Sequence, residues 1–577
     1  MDKLSHLIMH AVNEGLWKTL RAGRNGMNVS HLMFADDLLL FGEATENQMD
    51  CLMNILTKFC SMSGQEVSYE KTSILFSKNV SRHIRNKLVQ KSGFRETNHL
   101  GKYLGVPLTG NAPRRSDFQY IINQVSAKLA RWKVNQLSFA GRVTLAKSVI
   151  EATPIYPMMT NRIPKGCLEE INMLQRKFIW GETEGNNKYH AIRWEDVTRP
   201  KRFGGLGLRR LDTMNQACLL KLGWKFNSGA SDLWCEVLHG KYSCQTISEN
   251  MVIKAPASSL WKNIVKLSSN LNKYSFWAVG NGYSVDAWTS AWIDAGLRIT
   301  DLDLAIPEEL QNAKVCDLVD SSGEWNWSMM RGWMPVDLLH KISAILPPSD
   351  VNGDDQQLGS GTGSKKFSVS DMYSVLCGFD NYYEARSWKL LWKLHVTERV
   401  KCFIWLVSHD RLLTNSRKAM MGLCHAMCTF CGNMEETCIH ALRDCTIVRN
   451  MWLSVVPCES RGLFFGGDLD SWINYNLSSD IDRINGIRWE DFWAAACHCL
   501  WSWPNKEQHV DEFSQPVHEV VHILQRCSHY YNACMDRKPV NTIQKRLQWI
   551  GWKVPEEGWV KLNTDGACKG LWVVEAS

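Results

Sequence analysis

Residues 31–41 read His31-Leu32-Met33-Phe34-Ala35-Asp36-Asp37-Leu38-Leu39-Leu40-Phe41, two adjacent carboxylates set between apolar runs. Both flanks are strand-like and Asp is at home in tight turns. The segment therefore predicts a β-hairpin with Asp36 and Asp37 projecting together from its tip. Adjacent acids flanked by Leu, Met and Phe are costly on a half-buried turn unless a cation compensates them, as a divalent metal bound to phosphates does. Two-metal nucleotidyl transfer needs carboxylates so placed. The string is short, and a plain Asp-Asp turn is the competing reading.

Outward from the hairpin, residues 1–110 read as mixed α/β or α+β: a helix over 4–18, the hairpin at 30–42, a helix over 46–62 and strands near 66–76. From about 115 to 180 the pattern is helical, with Ile121, Val125, Leu129 and Trp132 on one stripe and Leu168, Ile171, Leu174 and Phe178 on another. Pro154, Pro157 and Pro164 separate them. Gly204-Gly205-Leu206-Gly207 lacks the Gly-Lys-Ser/Thr of a phosphate loop and predicts a turn before a helix through Ala217, Leu220 and Trp224. Residues 258–335 carry Trp277, Trp288, Trp292, Trp325, Trp327 and Trp333 among Gly and Asp turns, which predicts a small β-containing module. Indoles can stack on bases, but core packing is their commoner use. The polar, Gly/Ser-rich stretch from Pro347 to Ser364 predicts a linker. A helical stretch is expected from about 515 to 548.

A second chemical signal lies some four hundred residues downstream of the first. Cys428-x2-Cys431-x8-His440-x4-Cys445 supplies three thiols and an imidazole. Zinc takes four N/S ligands in a tetrahedron; a Cys-x2-Cys turn delivers two from one knuckle, and a helix over about 435–442 would present His440 with Cys445 at its end. Cys424, Cys438 and His425 are spare candidates, and a group of buried thiols is the plain alternative. Cys497-His498-Cys499 sits on a predicted helix where neighbouring side chains diverge, and is not counted.

The chain has 577 residues, 20 of them Cys, and a formal net charge of +7 from 66 Lys+Arg against 59 Asp+Glu. That length predicts three to five domains. The mild basicity suits a polyanionic partner without demanding one, so local clustering must carry the case. Between Arg114 and Lys147 stand Arg114, Arg115, Lys128, Arg131, Lys133, Arg142 and Lys147 against the single acid Asp117. They read either as a phosphate-binding face or as a solvated helix face. No stretch approaches the roughly 20 apolar residues of a membrane helix, and the N-terminus lacks a secretory signal pattern. The expectation is a soluble intracellular protein with reduced thiols and no membrane partner, nucleus or cytoplasm being unresolved.

The hairpin and its successors resemble the reverse transcriptase of plant LINE-type (non-LTR) retrotransposons. Gly26 to Glu43, Ser63-Gly64-Gln65 with Glu70-Lys71-Thr72, and Tyr103-Leu104-Gly105-Val106-Pro107-Leu108 are similar to consecutive elements of that family. So are Leu137-Ser138-x-Ala140-Gly141-Arg142, Phe178-Ile179-Trp180-Gly181 and Pro200-Lys201-x2-Gly204-Gly205-Leu206-Gly207. The resemblance implies that Asp36 and Asp37 are catalytic acids of a polymerase palm, that Lys71 lies near the incoming nucleotide, and that the basic helical region is a thumb. Mg²⁺ or Mn²⁺ would serve any polymerase activity. The family's further palm Asp and its fingers lie upstream of everything in this sequence, so the expected reading is an N-terminally truncated chain with half a polymerase site.

Phe367-Ser368-Val369, Trp388-x3-Trp392, Lys401-x-Phe403-x-Trp405 and Leu412-x-Thr414 likewise resemble the zinc-binding module that follows this reverse transcriptase, implying structural Zn²⁺. Trp559-Val560-Lys561-Leu562-Asn563-Thr564-Asp565-Gly566-Ala567 resembles the first strand of a ribonuclease H domain, in which Asp565 would be a catalytic carboxylate. Only its opening strand is present, and Glu575 is too close to be the family's glutamate. Pro504 replaces the family's usual Arg and is expected to end its helix early.

The expected fold is multidomain α+β: a partial palm over 1–110, a helical thumb-like region over 111–245, a Trp-rich connector over 246–346, and a linker over 347–366. A zinc module over 367–460, a helical connector over 461–550 and a truncated ribonuclease H start over 551–577 would follow. The implied function is that of a retrotransposon-derived RNA-directed DNA polymerase and ribonuclease H polyprotein fragment, catalytically incomplete but still binding nucleic acid. RNA, DNA, RNA–DNA hybrid and primer–template are its implied partners, with full-length retrotransposon proteins as further ones. The alternative is an adopted zinc-dependent nucleic-acid-binding or scaffold protein without catalysis.

Overall fold

The computed structural model describes residues 1–535, apart from 24–25, 109–111, 133–135, 184, 187, 245–246, 248–250, 255–256, 295, 360–366 and 380–381. Helices dominate, and each of the five sheets among the described residues has two strands. The chain divides into two compact units, one built on Met1–Gly110 with Ser231–Cys244 and the other on Asn111–Ala230 with Gln245–Asp536. The segment expected to open a ribonuclease H fold, with Asp565 and Glu575, lies outside the described residues.

In the first unit the predicted hairpin is present. His31–Phe34 pairs antiparallel with Asp37–Leu40, with Phe34 opposite Asp37. Ala35 turns the chain at φ +50°, the left-handed conformation that tight two-residue hairpin turns demand and that Gly more often supplies. Met33, Leu38 and Leu40 pack onto a core of Leu4, Ile8, Trp17, Leu56 and Phe59, which is drawn chiefly from the helices Asp2–Asn13 and Glu46–Ser63. The second helix begins where the Gln48 N–H donates to the Thr45 hydroxyl and ends at Gly64 in the left-handed region. The strands expected near 66–76 reduce to Ser73–Ile74, paired in parallel with Arg95–Glu96. The acidic ribbon is thus carried by two helices rather than by a wider sheet.

In the second unit, Ile121 and Val125 of the helix Arg115–Arg131 are buried as their stripe predicts, and so are Leu168, Ile171 and Phe178 of the helix Lys165–Trp180. One core runs from Phe118, Ile150, Phe178 and Leu211 to Leu391, Trp405, Trp452, Trp493 and Cys527. The stretches expected as thumb, zinc module and helical connector therefore share an interior. Their seam is the Gly204–Gly207 turn. The Gly204 carbonyl accepts the Trp405 indole N–H and the His409 imidazole N–H, each at 2.7 Å. Gly204 has φ +81°, and a Cβ there would stand 2.8 Å from the Trp388 ring. Glycine is needed for that close approach.

The Trp-rich module has its own core of Val285, Trp288, Trp292, Leu318, Trp325 and Met330. Trp288 and Trp292 are 1 % exposed, so their rings pack rather than present stacking surfaces. The module's sheet is Phe276–Ala278 with Gln356–Leu358, whose second strand comes from the stretch expected as linker. The Asp355 carboxylate accepts the backbone N–H groups of Gly280, Gly282 and Ser284 at 2.8–2.9 Å. Residues 347–358 thus close this module; polar composition concealed a strand whose partner lies far upstream in sequence.

Pro504 also departs from expectation, because the helix Trp489–His509 runs straight through it. Trp489, Phe492, Trp493, Ala494, Ala496 and Cys497 of that helix are all buried to 1 % exposure or less. Such packing outweighs the one hydrogen bond that proline removes.

Candidate metal centre and acidic hairpin

The Cys-x2-Cys knuckle is built by a short backbone ladder. The Cys428 N–H donates to the Met434 carbonyl and the Gly432 N–H to the Cys428 carbonyl, both at 2.9 Å, while the Glu436 N–H reaches back to Ala426. Gly432, at φ +69°, lets the chain reverse immediately after Cys431. His440 and Cys445 arrive on a different element. His440–Asp444 is a π-helical turn, in which the Cys445 N–H donates to the His440 carbonyl at 2.9 Å, and Cys445 then caps the helix Thr446–Val455. The wide turn sets the side chain of residue 445 toward that of residue 440, which an α-helical spacing of five would not do.

The four ligand atoms lie within 4.8 Å of one another. Cys428 Sγ is 4.0 Å from Cys445 Sγ, and Cys431 Sγ is 3.4 Å from His440 Nε2. Zinc–sulfur bonds of about 2.3 Å in a tetrahedron put sulfurs about 3.8 Å apart, so the spacing suits one Zn²⁺. Cys428, Cys445 and His440 are buried and Cys431 is half-buried. The N–H groups of Asn433 and Met434 hold the Cys431 thiol below its usual range. Burial, with the neighbouring Cys428 and Cys431 sulfurs, pushes Cys445 up to about 11. Three sulfurs so close resist ionising together unless a cation sits among them, and a dication reverses that cost. The surroundings are fixed: Trp452 Nε1 donates to the Leu442 carbonyl at 2.8 Å, and the buried Arg443 guanidinium donates to the Gly466 and Gly467 carbonyls.

The spare candidates fall away. Cys438 is buried with its thiol pushed up by burial and by Asp410, and Cys424 is exposed with its thiol on the carbonyls of Asn415 and His425. Among the described residues, the Cys428, Cys431, His440 and Cys445 set is the one group of three or more possible ligands close enough to share an ion.

Asp36 and Asp37 are exposed at the hairpin tip, as the motif predicts. No third carboxylate, His or Cys joins them among the described residues, and no ion pair links them to Lys71, which is also exposed. Burial, and after it the charge of the Asp37 carboxylate, raises the Tyr103 phenol.

The basic set divides. Arg114 and Arg131 are exposed, Arg115 is exposed and paired with Glu170, and Lys128 donates to the Thr153 hydroxyl at 3.0 Å. Arg142 instead donates to the Ile179 and Leu137 carbonyls and Lys147 to the Leu206 carbonyl, so both are half-buried struts. Lys133 lies outside the described residues. Sequence reading passed over Glu151, one turn after Lys147 and 2 % exposed. Its carboxylate accepts the Arg209 N–H at 2.8 Å and the Gln175 amide at 3.0 Å, and burial pushes its pKa up to about 7. Its i, i+4 spacing from Lys147 was the available signal.

A family described as zinc-binding in reverse transcriptase matches residues 367–452, which contain all four ligands. A protein of Arabidopsis thaliana named "Putative ribonuclease H protein" is 29 % identical over 480 residues, covering 81 % of this chain and 76 % of its own. An uncharacterized mitochondrial protein of the same plant is 24 % identical over 143 residues, 25 % of this chain and 93 % of its own. In the described residues no helix is long and apolar enough to cross a membrane. The chain thus carries a segment that matches a reverse-transcriptase zinc-binding family and is similar over most of its length to a plant protein named for ribonuclease H.

Proposed function

We propose that the chain is a zinc-dependent nucleic-acid-binding protein of retrotransposon descent that does not itself polymerise DNA. The observation that carries this reading is the contrast between its two sites. The Cys3His set is closed, mostly buried and spaced for one ion, as a structural zinc site should be. The acid pair is exposed on a two-stranded ribbon, and no further ligand stands within reach among the described residues. Two Mg²⁺ or Mn²⁺ ions in catalytic geometry need more carboxylate than that. Zinc would tie the Cys428–Cys431 knuckle to the His440–Cys445 turn that leads into the helix Thr446–Val455, and the exposed Arg114, Arg115 and Arg131, with the half-buried Lys128, contribute phosphate contacts.

The test is retention of labelled RNA or DNA by zinc-loaded protein across a salt series, with primer extension on an RNA template run beside it. Salt-sensitive retention without extension supports the reading. Extension abolished by Asp36→Ala/Asp37→Ala overturns it and restores a polymerase.

A further inference from the structure

A cleft of about 660 Å³ opens beside the helix Lys165–Trp180, floored by residues 189–196 and closed by the turn after the helix Glu398–Ser408. Arg176, Arg193 and Arg411 line it together with Trp180, Tyr189 and His190. Its acids are already matched. Asp196 pairs with Arg199 at 2.8 Å, and Glu182, at the back of the His190 ring, pairs with that imidazole at 2.8 Å. Among the described residues no carboxylate pairs with Arg176, Arg193 or Arg411. Arg176 lies over the Trp194 ring at 5.6 Å and donates to the Asn172 carbonyl at 3.3 Å, and neither contact neutralises it. His190 stacks on Trp180 with centroids 5.8 Å apart and planes 21° apart, and Tyr189 beside it is 42 % exposed.

Three uncompensated guanidiniums in one concavity call for a polyanion, and solvent-facing rings among them call for flat aromatic groups on that polyanion. We propose that this cleft binds single-stranded nucleic acid, with phosphates on Arg176, Arg193 and Arg411 and a base against Tyr189 and His190. The volume suits one or two nucleotides at about the size of ordinary ligand pockets, and a duplex about 20 Å across does not enter it. The inference rests on the nucleic-acid-binding reading above, but it places the contact on residues distinct from the Arg114–Arg131 face.

The experiment measures binding of a labelled single-stranded oligouridine to the full zinc-loaded chain as salt is varied. Three phosphate contacts at about 0.7 each predict that Arg176→Ala/Arg193→Ala/Arg411→Ala flattens the slope of log K against log salt by about 2, with affinity reduced tenfold or more. Because Arg411 is half-buried, the exposed Arg193→Glu alone serves as the fold-safe variant, with a loss of about tenfold expected. Tyr189→Ala should weaken binding about fivefold and leave the slope unchanged, the mark of a stacking contact. Wild-type affinity and slope in these variants, with weakening only in Arg114→Ala/Arg115→Ala/Lys128→Ala, overturns the cleft while sparing the function. Absence of binding by the wild-type chain overturns both. Equal binding of a duplex, or displacement of the oligouridine by a phosphorylated peptide of matched charge, overturns the single-strand assignment.

Discussion

Glu151→Gln should stabilise the second unit at pH 8 and leave it nearly unchanged at pH 4. Glu151 is 2 % exposed, and its pKa is pushed from 4.5 to about 7, chiefly by burial. A folded pKa above the unfolded one means that the native state holds a proton the unfolded chain has released. The associated stability is complete below the unfolded value near 4.5 and is lost as pH rises through about 7. The displacement corresponds to about 3 kcal/mol at pH 8. Glutamine removes the charge but keeps an oxygen for the Arg209 N–H and the Gln175 amide. The neighbouring Gln175 carbonyl oxygen is itself buried without a hydrogen-bond partner, so the site lacks a donor that an added amide could supply. For a cooperative unit of roughly 400 residues each kcal/mol moves Tm by about 1 °C, so the variant should melt about 3 °C higher at pH 8. Thermal unfolding followed by circular dichroism at the two pH values reads this directly. A variant less stable than wild type at pH 8 would instead make Glu151 an ionised partner of Lys147 whose loss leaves a buried cation.

Cys431→Ser should lose the bound zinc and expose the knuckle to proteolysis, whereas Cys438→Ala and Cys424→Ser should keep full zinc content; metal analysis of the three purified variants separates ligands from bystanders. Asp355→Ala removes the acceptor for three backbone N–H groups and should cost about 2–4 kcal/mol, seen as early unfolding of the Trp-rich module by tryptophan fluorescence in urea. Pro504→Ala restores the N–H that would donate to the Leu500 carbonyl inside the helix Trp489–His509 and should stabilise it by about 1–3 kcal/mol, measured as a raised urea midpoint with an unchanged m-value.

What the sequence made legible was local. The hairpin followed from apolar alternation around Asp36-Asp37, the stripes through Ile121 and Leu168 from helical period, and the metal set from the spacing of Cys428, Cys431, His440 and Cys445. What it hid depends on partners distant along the chain. Gln356–Leu358 is a strand because Phe276–Ala278 waits for it, and Asp355 matters because three N–H groups of a remote loop converge on it. Lys147 and Arg142 counted as basic residues, yet both are drawn inward by main-chain carbonyls that only the folded core presents. Pro504 is a helix breaker by propensity, overruled by the tryptophans packed on the preceding turns. The π-helical turn at His440–Asp444 has no signature in composition, and it is what brings Cys445 to the site.

X-ray absorption at the zinc edge of the purified chain reads the ligand shell itself. A Cys3His centre gives one zinc per chain with three sulfurs at about 2.3 Å and one nitrogen at about 2.0–2.1 Å, the nitrogen signal vanishing in His440→Ala. A chain that purifies without zinc and fails to take it up, or a four-sulfur shell drawing in Cys438 or Cys424, would contradict it.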